Sequence, residues 1–341
     1  MLISILAALA LTTTLGSDDQ DVAADQPPVL QLEAIDVAPA DPLRSTAGDY
    51  AAYHGVVADL RSAPIGSGED LDSAMDRLTA FYVHDRLVRA WIAYTSLIAA
   101  QHPEYLDDVR ELADYYGAQA AMSGLLYDPT YAISFTHADT AEASVVDALE
   151  RDSAEIREVS DRYRAAAYDL QSTRWALARS GDRTDRLSAL QHAGSGPSVP
   201  LSDDFLLSLD SRLQGVVPAS ALYDHPEIAR IGAYTTPQLS LTIGQAAIDP
   251  DRDRIGRILS VAALQAISND PSQSTELIDA LLSDPVVERC LTWARLDLQQ
   301  CVAAGHFKYE DSFCIAEHAL LDVSRCLGVT AATGTDSGDG G

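Results

Sequence analysis

The chain has 341 residues, of which 47% are hydrophobic, so it is long enough to bury a core and too apolar for global disorder. It carries 23 basic and 51 acidic residues, giving a formal net charge of −28. This charge repels nucleic acid and anionic membrane surfaces, so proteins that bind either through a basic face are excluded.

The first 16 residues contain no charged side chain and are largely apolar. Such a segment at the start of a chain predicts a secretory signal peptide, and the small residues before Ser17 predict cleavage after Gly16. The alternative is an uncleaved membrane anchor, although a bilayer span takes about 20 apolar residues. We therefore expect an exported protein, periplasmic or extracellular, with no stable membrane span after cleavage.

The next segment, residues 17–45, is acidic and contains prolines, which predicts a flexible leader. Helical spacing of apolar residues begins near Leu43. The same spacing predicts one helix from about Asp70 to Ala100 and another that follows Pro103 and reaches Met122.

The longest predicted helix runs from about residue 140 to 180. Its apolar residues repeat every seven positions, but the second position of each heptad is apolar only in part, which favours an antiparallel neighbour helix within the fold over a two-chain coiled coil. The repeating residues are Leu149, Ile156, Tyr163, Leu170 and Leu177.

A Gly/Ser/Pro stretch at residues 194–197 predicts a boundary between an N-terminal helical domain, 46–193, and a C-terminal helical domain, 199–328. Residues 329–341 are predicted to be a disordered tail. In the C-terminal domain the predicted helices lie near 202–214, 224–231, 237–247, 250–268, 272–283, 285–304 and 309–327.

Few segments alternate as a strand would. Residues 131–135 are the nearest to a strand, and they are too short and isolated to indicate a sheet. Asp-Pro pairs precede several helical patterns, which is typical of an Asp N-cap followed by Pro in the first turn. The predicted class is all-α, a multi-helix bundle; the Asp-Pro pairs begin at Asp41, Asp128, Asp249, Asp270 and Asp284.

All four cysteines lie between residues 285 and 328, on two apolar helical patterns separated by a break at residues 305–308. This arrangement predicts an antiparallel helical hairpin held by two disulfides. Disulfides persist in oxidising compartments, so this prediction agrees with export.

Helix geometry selects the pairing. Cys290 and Cys301 on one helix would lie roughly 16 Å apart, whereas a disulfide needs Cα atoms within about 7 Å. An antiparallel hairpin also forbids the crossed pairing, which leaves Cys290–Cys326 and Cys301–Cys314. The twelve-residue step from Cys314 to Cys326 rotates about a third of a turn off one face, so the second helix is expected to loosen before Cys326.

The nested spacing resembles the coiled-coil-helix–coiled-coil-helix proteins, in which twin cysteine pairs join two helices. The gaps here, ten and eleven residues, differ from the usual spacing of those proteins. The resemblance is limited to about forty residues, and it implies a similar construction of the hairpin.

A polar cluster is predicted beside the cysteines. His318 and Asp322 are one helical turn apart, Glu317 is adjacent, and the hairpin symmetry places Asp297 opposite His318. If the thiols were reduced, Cys314 and His318 could join Cys301 and His306 in a zinc site, but the long spacing between cysteines favours disulfides. We predict no metal or cofactor, and expect the His–carboxylate pair to orient a helix.

No catalytic motif stands out, so the leading hypothesis is a binding or interaction module of the envelope or extracellular space, with a protein or small molecule as partner. The alternative is a helical hydrolase that uses His and carboxylate groups, with or without a metal. An enzyme should form a polar cleft around residues such as His84, Asp85 and Glu104. A binding protein should expose an aromatic-bearing apolar patch or groove.

Overall fold

The computed structural model describes residues 42–82, 85–193, 250–268 and 271–328. The predicted signal peptide, most of the leader, the helices predicted between 202 and 247, the boundary at 194–197 and the tail lie outside these residues. The described part is all-α and holds twelve α-helices, with one isolated β-bridge and no strand.

The α-helices follow one another in chain order, and three short segments of other helical type lie among them. The α-helices are α1 (Pro42–Ser62), α2 (Gly68–Thr79), α3 (Arg86–Ala99), α4 (Pro103–Tyr116), α5 (Ala118–Tyr127), α6 (Ala138–Asp169), α7 (Arg183–Ala193), α8 (Pro250–Ile267), α9 (Pro271–Leu281), α10 (Pro285–Ala304), α11 (Lys308–Cys314) and α12 (Asp322–Leu327). The others are the 3₁₀ turns Pro129–Ser134 and Leu170–Ser172 and the π-helical segment Ile315–Leu321.

Asp-Pro pairs do cap helical segments where the structure describes them. The Asp284 carboxylate accepts hydrogen bonds from the backbone N–H groups of Val286 and Val287 at 2.9 and 3.1 Å, which satisfies free donors at the start of α10. Asp128 caps the first 3₁₀ turn in the same way, through Thr130 N–H at 2.9 Å. The pairs at 41, 249 and 270 begin with an Asp outside the described residues.

Several predicted helices are divided. The helix predicted over 70–100 is two helices, α2 and α3, and the break carries Phe81, whose side chain is buried in the core. The pattern from 103 to 122 is also two helices, because Gly117 adopts a φ of 90° that a side-chain-bearing residue rarely takes. Residues 129–134, nearest to a strand in the sequence, form a 3₁₀ turn.

Helix α6 lies against the hairpin and against α1 and α3. Its predicted heptad residues are buried as far as Leu170, but Leu177 is exposed because the helix ends at Asp169, earlier than predicted. After α6 the backbone of residues 176–180 forms hydrogen bonds with the turn between the two arms of the hairpin. These bonds run from Ser180 N–H to His306 O at 2.9 Å, from Lys308 N–H to Ala178 O at 3.2 Å and from Tyr309 N–H to Ala176 O at 3.2 Å.

The predicted antiparallel neighbour of α6 is the second arm of the hairpin, formed by α11, the π segment and α12. Ser312 Oγ donates to Tyr163 O at 2.7 Å, and Ser160 Oγ donates to Ala316 O at 2.9 Å. The second arm is therefore antiparallel to α6. The interrupted heptad pattern of α6 predicted an antiparallel neighbour of this kind within the chain.

The hairpin is joined by the two predicted disulfides. Cys290–Cys326 and Cys301–Cys314 have Cα–Cα distances of 5.6 and 5.7 Å, within the usual range for a disulfide. All four cysteines are paired, so the zinc set that would need reduced Cys301 and Cys314 is not formed.

The predicted loosening of the second arm is a π-helical segment, Ile315–Leu321, between its two cysteines. A π turn takes about one residue more than an α turn. One such turn therefore lets a twelve-residue step return Cys326 to the side of Cys314. Gly328 is the C-cap of α12, but its backbone is extended rather than left-handed.

A buried ion pair holds the turn of the hairpin against α7. The Arg186 guanidinium on α7 is hydrogen-bonded to the carboxylate of Asp311 and to Gly305 O at 3.1 Å. Burial raises the pKa of Asp311, and the neighbouring Arg186 and Lys308 oppose that rise. Lys308 also bridges Asp311, at 3.2 Å, and Asp72 on α2, at 2.5 Å.

One hydrophobic cluster contains buried residues from 42–193 and from 250–328. Helix α8 lies against α3, α4, α5 and the first 3₁₀ turn, and Tyr105 Oη donates to Leu259 O at 2.9 Å. The position of a domain boundary stays a prediction, because residues 194–249 are not described. None of the helices within the described ranges has the length and apolarity to cross a membrane.

Candidate functional site

The hairpin brings three of the four predicted polar residues together. One ligand atom from each of Asp297, His318 and Asp322 lies within 4.8 Å of the others, and all three side chains are half-buried. Asp297 comes from α10, and the other two come from the second arm. We call these residues the polar trio.

Glu317 is not part of the polar trio. Its carboxylate accepts a hydrogen bond from Arg164 Nε at 2.5 Å, on the side of the arm that faces α6. The neighbouring Asp161 bonds the same guanidinium at 2.8 Å. Glu317 therefore joins the hairpin to α6, while His318 lies with Asp297 and Asp322.

Within the polar trio, His318 Nδ1 lies 2.8 Å from Asp322 Oδ2, and Arg325 Nη1 lies 3.1 Å from Asp322 Oδ1. Asp297 has no hydrogen bond or ion pair to another described residue. The polar trio therefore combines two carboxylates with one imidazole, and the exposed Arg325 beside Asp322 is its neighbouring cation.

A second candidate site is an exposed row along α10. Side chains that point to solvent recur every three or four residues, and none of them is a carboxylate although the chain is strongly acidic. Trp293 is 58% exposed, and Leu296 is also exposed. We call this set the α10 row; its members are Val286, Arg289, Trp293, Leu296, Gln300 and Ala304.

The α10 row ends at a groove of about 370 Å³ beside the Cys301–Cys314 disulfide. Ala304 belongs to both the row and the groove, so the two surfaces are continuous. Exposed rings from two elements rim the groove, Tyr168 from the end of α6 and Phe313 from α11. Gln171 and Tyr309 complete its wall.

The wall of the groove is fixed by the turn. Glu310 accepts backbone hydrogen bonds from His306 and from Phe307, the latter at 2.8 Å, so its side chain caps the start of α11. Phe307 and Tyr309 stack with ring centroids 5.8 Å apart. The groove is therefore bounded by a covalent bond, a capped helix start and a stacked pair.

The residues proposed for an enzymatic cleft do not form one in the described part. Asp85 is half-buried and pairs with Arg89 at 3.8 Å, Glu104 is exposed in the first turn of α4, and His84 lies outside the described residues. His137 has a structural partner, since its Nδ1 lies 3.0 Å from the buried Asp108.

Sequence reasoning missed the groove and the α10 row. Spacing within α10 contained the signal for the row, because Trp293 and Leu296 lie away from the positions that are buried, such as Ala294 and Leu298. The groove had no such signal, since it forms where the end of α6 meets the hairpin turn.

Comparison of the chain with protein-family models, curated proteins and solved structures finds no match. The function must therefore be inferred from the residues and geometry of the site itself.

Proposed function

We propose that this protein is an exported, disulfide-stabilised interaction module that binds an apolar surface of a partner protein. The partner would lie along the α10 row and insert one apolar side chain into the groove. The observation that carries this proposal is the continuity of the row with the groove at Ala304.

Export is supported by the two disulfides, which persist in oxidising compartments. The apolar, uncharged character of residues 1–16 in the sequence supports it further, as a signal peptide would. Periplasmic or extracellular location is part of the proposal.

The composition of the surface supports a protein partner. Residues that dominate the energy of protein interfaces are enriched in Trp, Tyr and Arg, and here Trp293, Tyr168 and Arg289 lie on the row or at the groove. An exposed apolar surface on an otherwise acidic chain marks an interaction site. Exposed rings at the rim leave the groove open, whereas a small-molecule pocket buries most of its ligand.

The alternative function, a hydrolase, would depend on His318 and its carboxylates. In the described part of the chain His318 is hydrogen-bonded to Asp322, and no hydroxyl or thiol is bonded to it as an activated nucleophile would be. Nucleophilic catalysis therefore has less support than binding.

The test is capture of the partner by the oxidised protein from the exported fraction of its source, followed by titration of the purified partner. We expect Trp293→Ala and Phe313→Ala each to weaken that affinity at least tenfold, because both remove large apolar contacts from the interface.

Tyr127→Ala is the matched control, since Tyr127 is 92% exposed and belongs to neither the α10 row nor the groove. It should bind as the unsubstituted protein does. Equal affinity of all the variants, or the absence of a saturable partner, would refute the proposal.

A further inference from the structure

The polar trio belongs to neither the α10 row nor the groove, so its function does not depend on a protein partner. We propose that Asp297, His318 and Asp322 form a binding site for one divalent transition-metal cation, with zinc as the best-matched ion.

The ligand atoms are of the right kind. Zinc is bound by imidazole nitrogen and carboxylate oxygen, and sites with three protein ligands leave a fourth position for water. One imidazole and two carboxylates are offered here. Calcium is a poorer match, because it takes six to eight oxygen ligands and does not favour imidazole.

The spacing also fits. Zinc bonds of about 2.0–2.2 Å place neighbouring ligands of a tetrahedral site about 3.3 Å apart. His318 Nδ1 and Asp322 Oδ2 lie 2.8 Å apart, and the three ligand atoms lie within 4.8 Å of one another. The 4.8 Å limit exceeds the tetrahedral spacing by about 1.5 Å, so ligation requires the side chains to approach by at most that distance.

The charge of the site favours a cation. Asp297 has no ionic partner among the described residues, and Asp322 has one, the exposed Arg325 at 3.1 Å. A bound dication would neutralise the uncompensated carboxylate. Arg325 bonds Asp322 Oδ1 and leaves Oδ2 toward His318, so it could remain in place beside the ion.

The backbone holds the ligands in place before any ion binds. Asp297 lies between Cys290 and Cys301 on one arm, and His318 and Asp322 lie between Cys314 and Cys326 on the other, so a disulfide fixes the arms on each side of the trio. His318 also lies within the π-helical segment, and such segments occur frequently at functional sites. A site whose ligands are already gathered loses little entropy on binding.

The experiment is equilibrium dialysis of the oxidised full chain against zinc, with metal content measured per chain. We expect one zinc per chain, and at least tenfold weaker binding in Asp297→Asn and in His318→Gln, because each removes one ligand at nearly constant size. The matched controls are Glu317→Gln, beside the trio but paired with Arg164, and His306→Gln, an exposed histidine on the turn. Both controls should bind zinc as the unsubstituted protein does.

Cobalt gives a second readout that does not require a variant to fold. Cobalt in the trio should show the visible absorption of nitrogen and oxygen ligation with no thiolate charge-transfer band. Failure to retain zinc, retention that is unchanged in Asp297→Asn and His318→Gln, or a thiolate band would each overturn the proposal.

Discussion

Replacing Gly256 by alanine is expected to cost about 3 kcal/mol or more of unfolding free energy. A Cβ atom at this position would lie 2.1 Å from the carbonyl oxygen of Pro129 and 2.6 Å from its carbonyl carbon. Both obstacles are backbone atoms of the 3₁₀ turn against which α8 packs, so no side chain can move aside. Helix propensity alone would favour alanine by about 1 kcal/mol, so the expected loss of stability comes from the packing clash.

Urea unfolding of the oxidised protein measures this effect. Gly181→Ala is the control, because no atom lies within 4 Å of the added Cβ there, and its stability should stay within about 0.5 kcal/mol. If Gly256→Ala were as stable as Gly181→Ala, the close packing of α8 on the N-terminal half would be wrong.

The second large effect is expected from pH acting on His54. This residue is fully buried in α1 between Tyr50 and Tyr53, with ring centroids 4.6 and 5.4 Å away. Neither ring nitrogen has a hydrogen-bond partner in the described part of the chain. Burial lowers the pKa of His54 from 6.5 to about 3, because nothing compensates the charged form for lost water.

Because proton binding at His54 is linked to folding, the shift in its pKa fixes the direction in which pH changes stability. Below pH 6.5 the unfolded chain binds a proton at His54 that the folded chain does not bind until about pH 3, so acid favours unfolding. The contribution of this group to stability should fall by about 1.4 kcal/mol per pH unit in that window, or about 5 kcal/mol across it. His54→Met should remove this part of the pH dependence of the unfolding free energy, since methionine keeps a similar volume without a titrating group.

The measurement is urea unfolding at several pH values between 6.5 and 4 for both proteins. Buried and paired carboxylates also titrate there, but the difference between the two proteins isolates His54. His306→Met is the control for the change from His to Met, because His306 is exposed on the hairpin turn and lies outside the core. Parallel pH profiles for the unsubstituted protein and His54→Met would contradict the burial of an uncharged His54.

Much of the hairpin could be predicted because two helices of fixed rise leave few ways to pair four cysteines. The same symmetry placed Asp297 opposite His318, and the structure brings them together with Asp322. The rotational mismatch of the twelve-residue step indicated that the second arm must loosen. Its form, a π-helical segment, could not be read from residues 315–321, whose pattern is equally compatible with an α-helix.

The features that could not be predicted depend on contacts between distant parts of the chain. The break between α2 and α3 contains no Gly or Pro, yet Phe81 enters the core there and Tyr82 Oη donates to Ala319 O across the fold. The early end of α6 likewise follows from backbone bonds between 176–180 and the hairpin turn. The groove exists only because of that end, so it could not be predicted from periodicity.

Both proposals depend on the arms of the hairpin being joined as described, and peptide mapping of the unreduced protein tests this most directly. Trypsin cleaves after Arg289, Arg295, Lys308 and Arg325, which places each cysteine in a different peptide. We expect two linked pairs, one joining the Cys290 and Cys326 peptides and one joining the Cys301 and Cys314 peptides. A link between the Cys290 and Cys301 peptides, a crossed pairing or free thiols would contradict the hairpin, and with it the groove and the metal site.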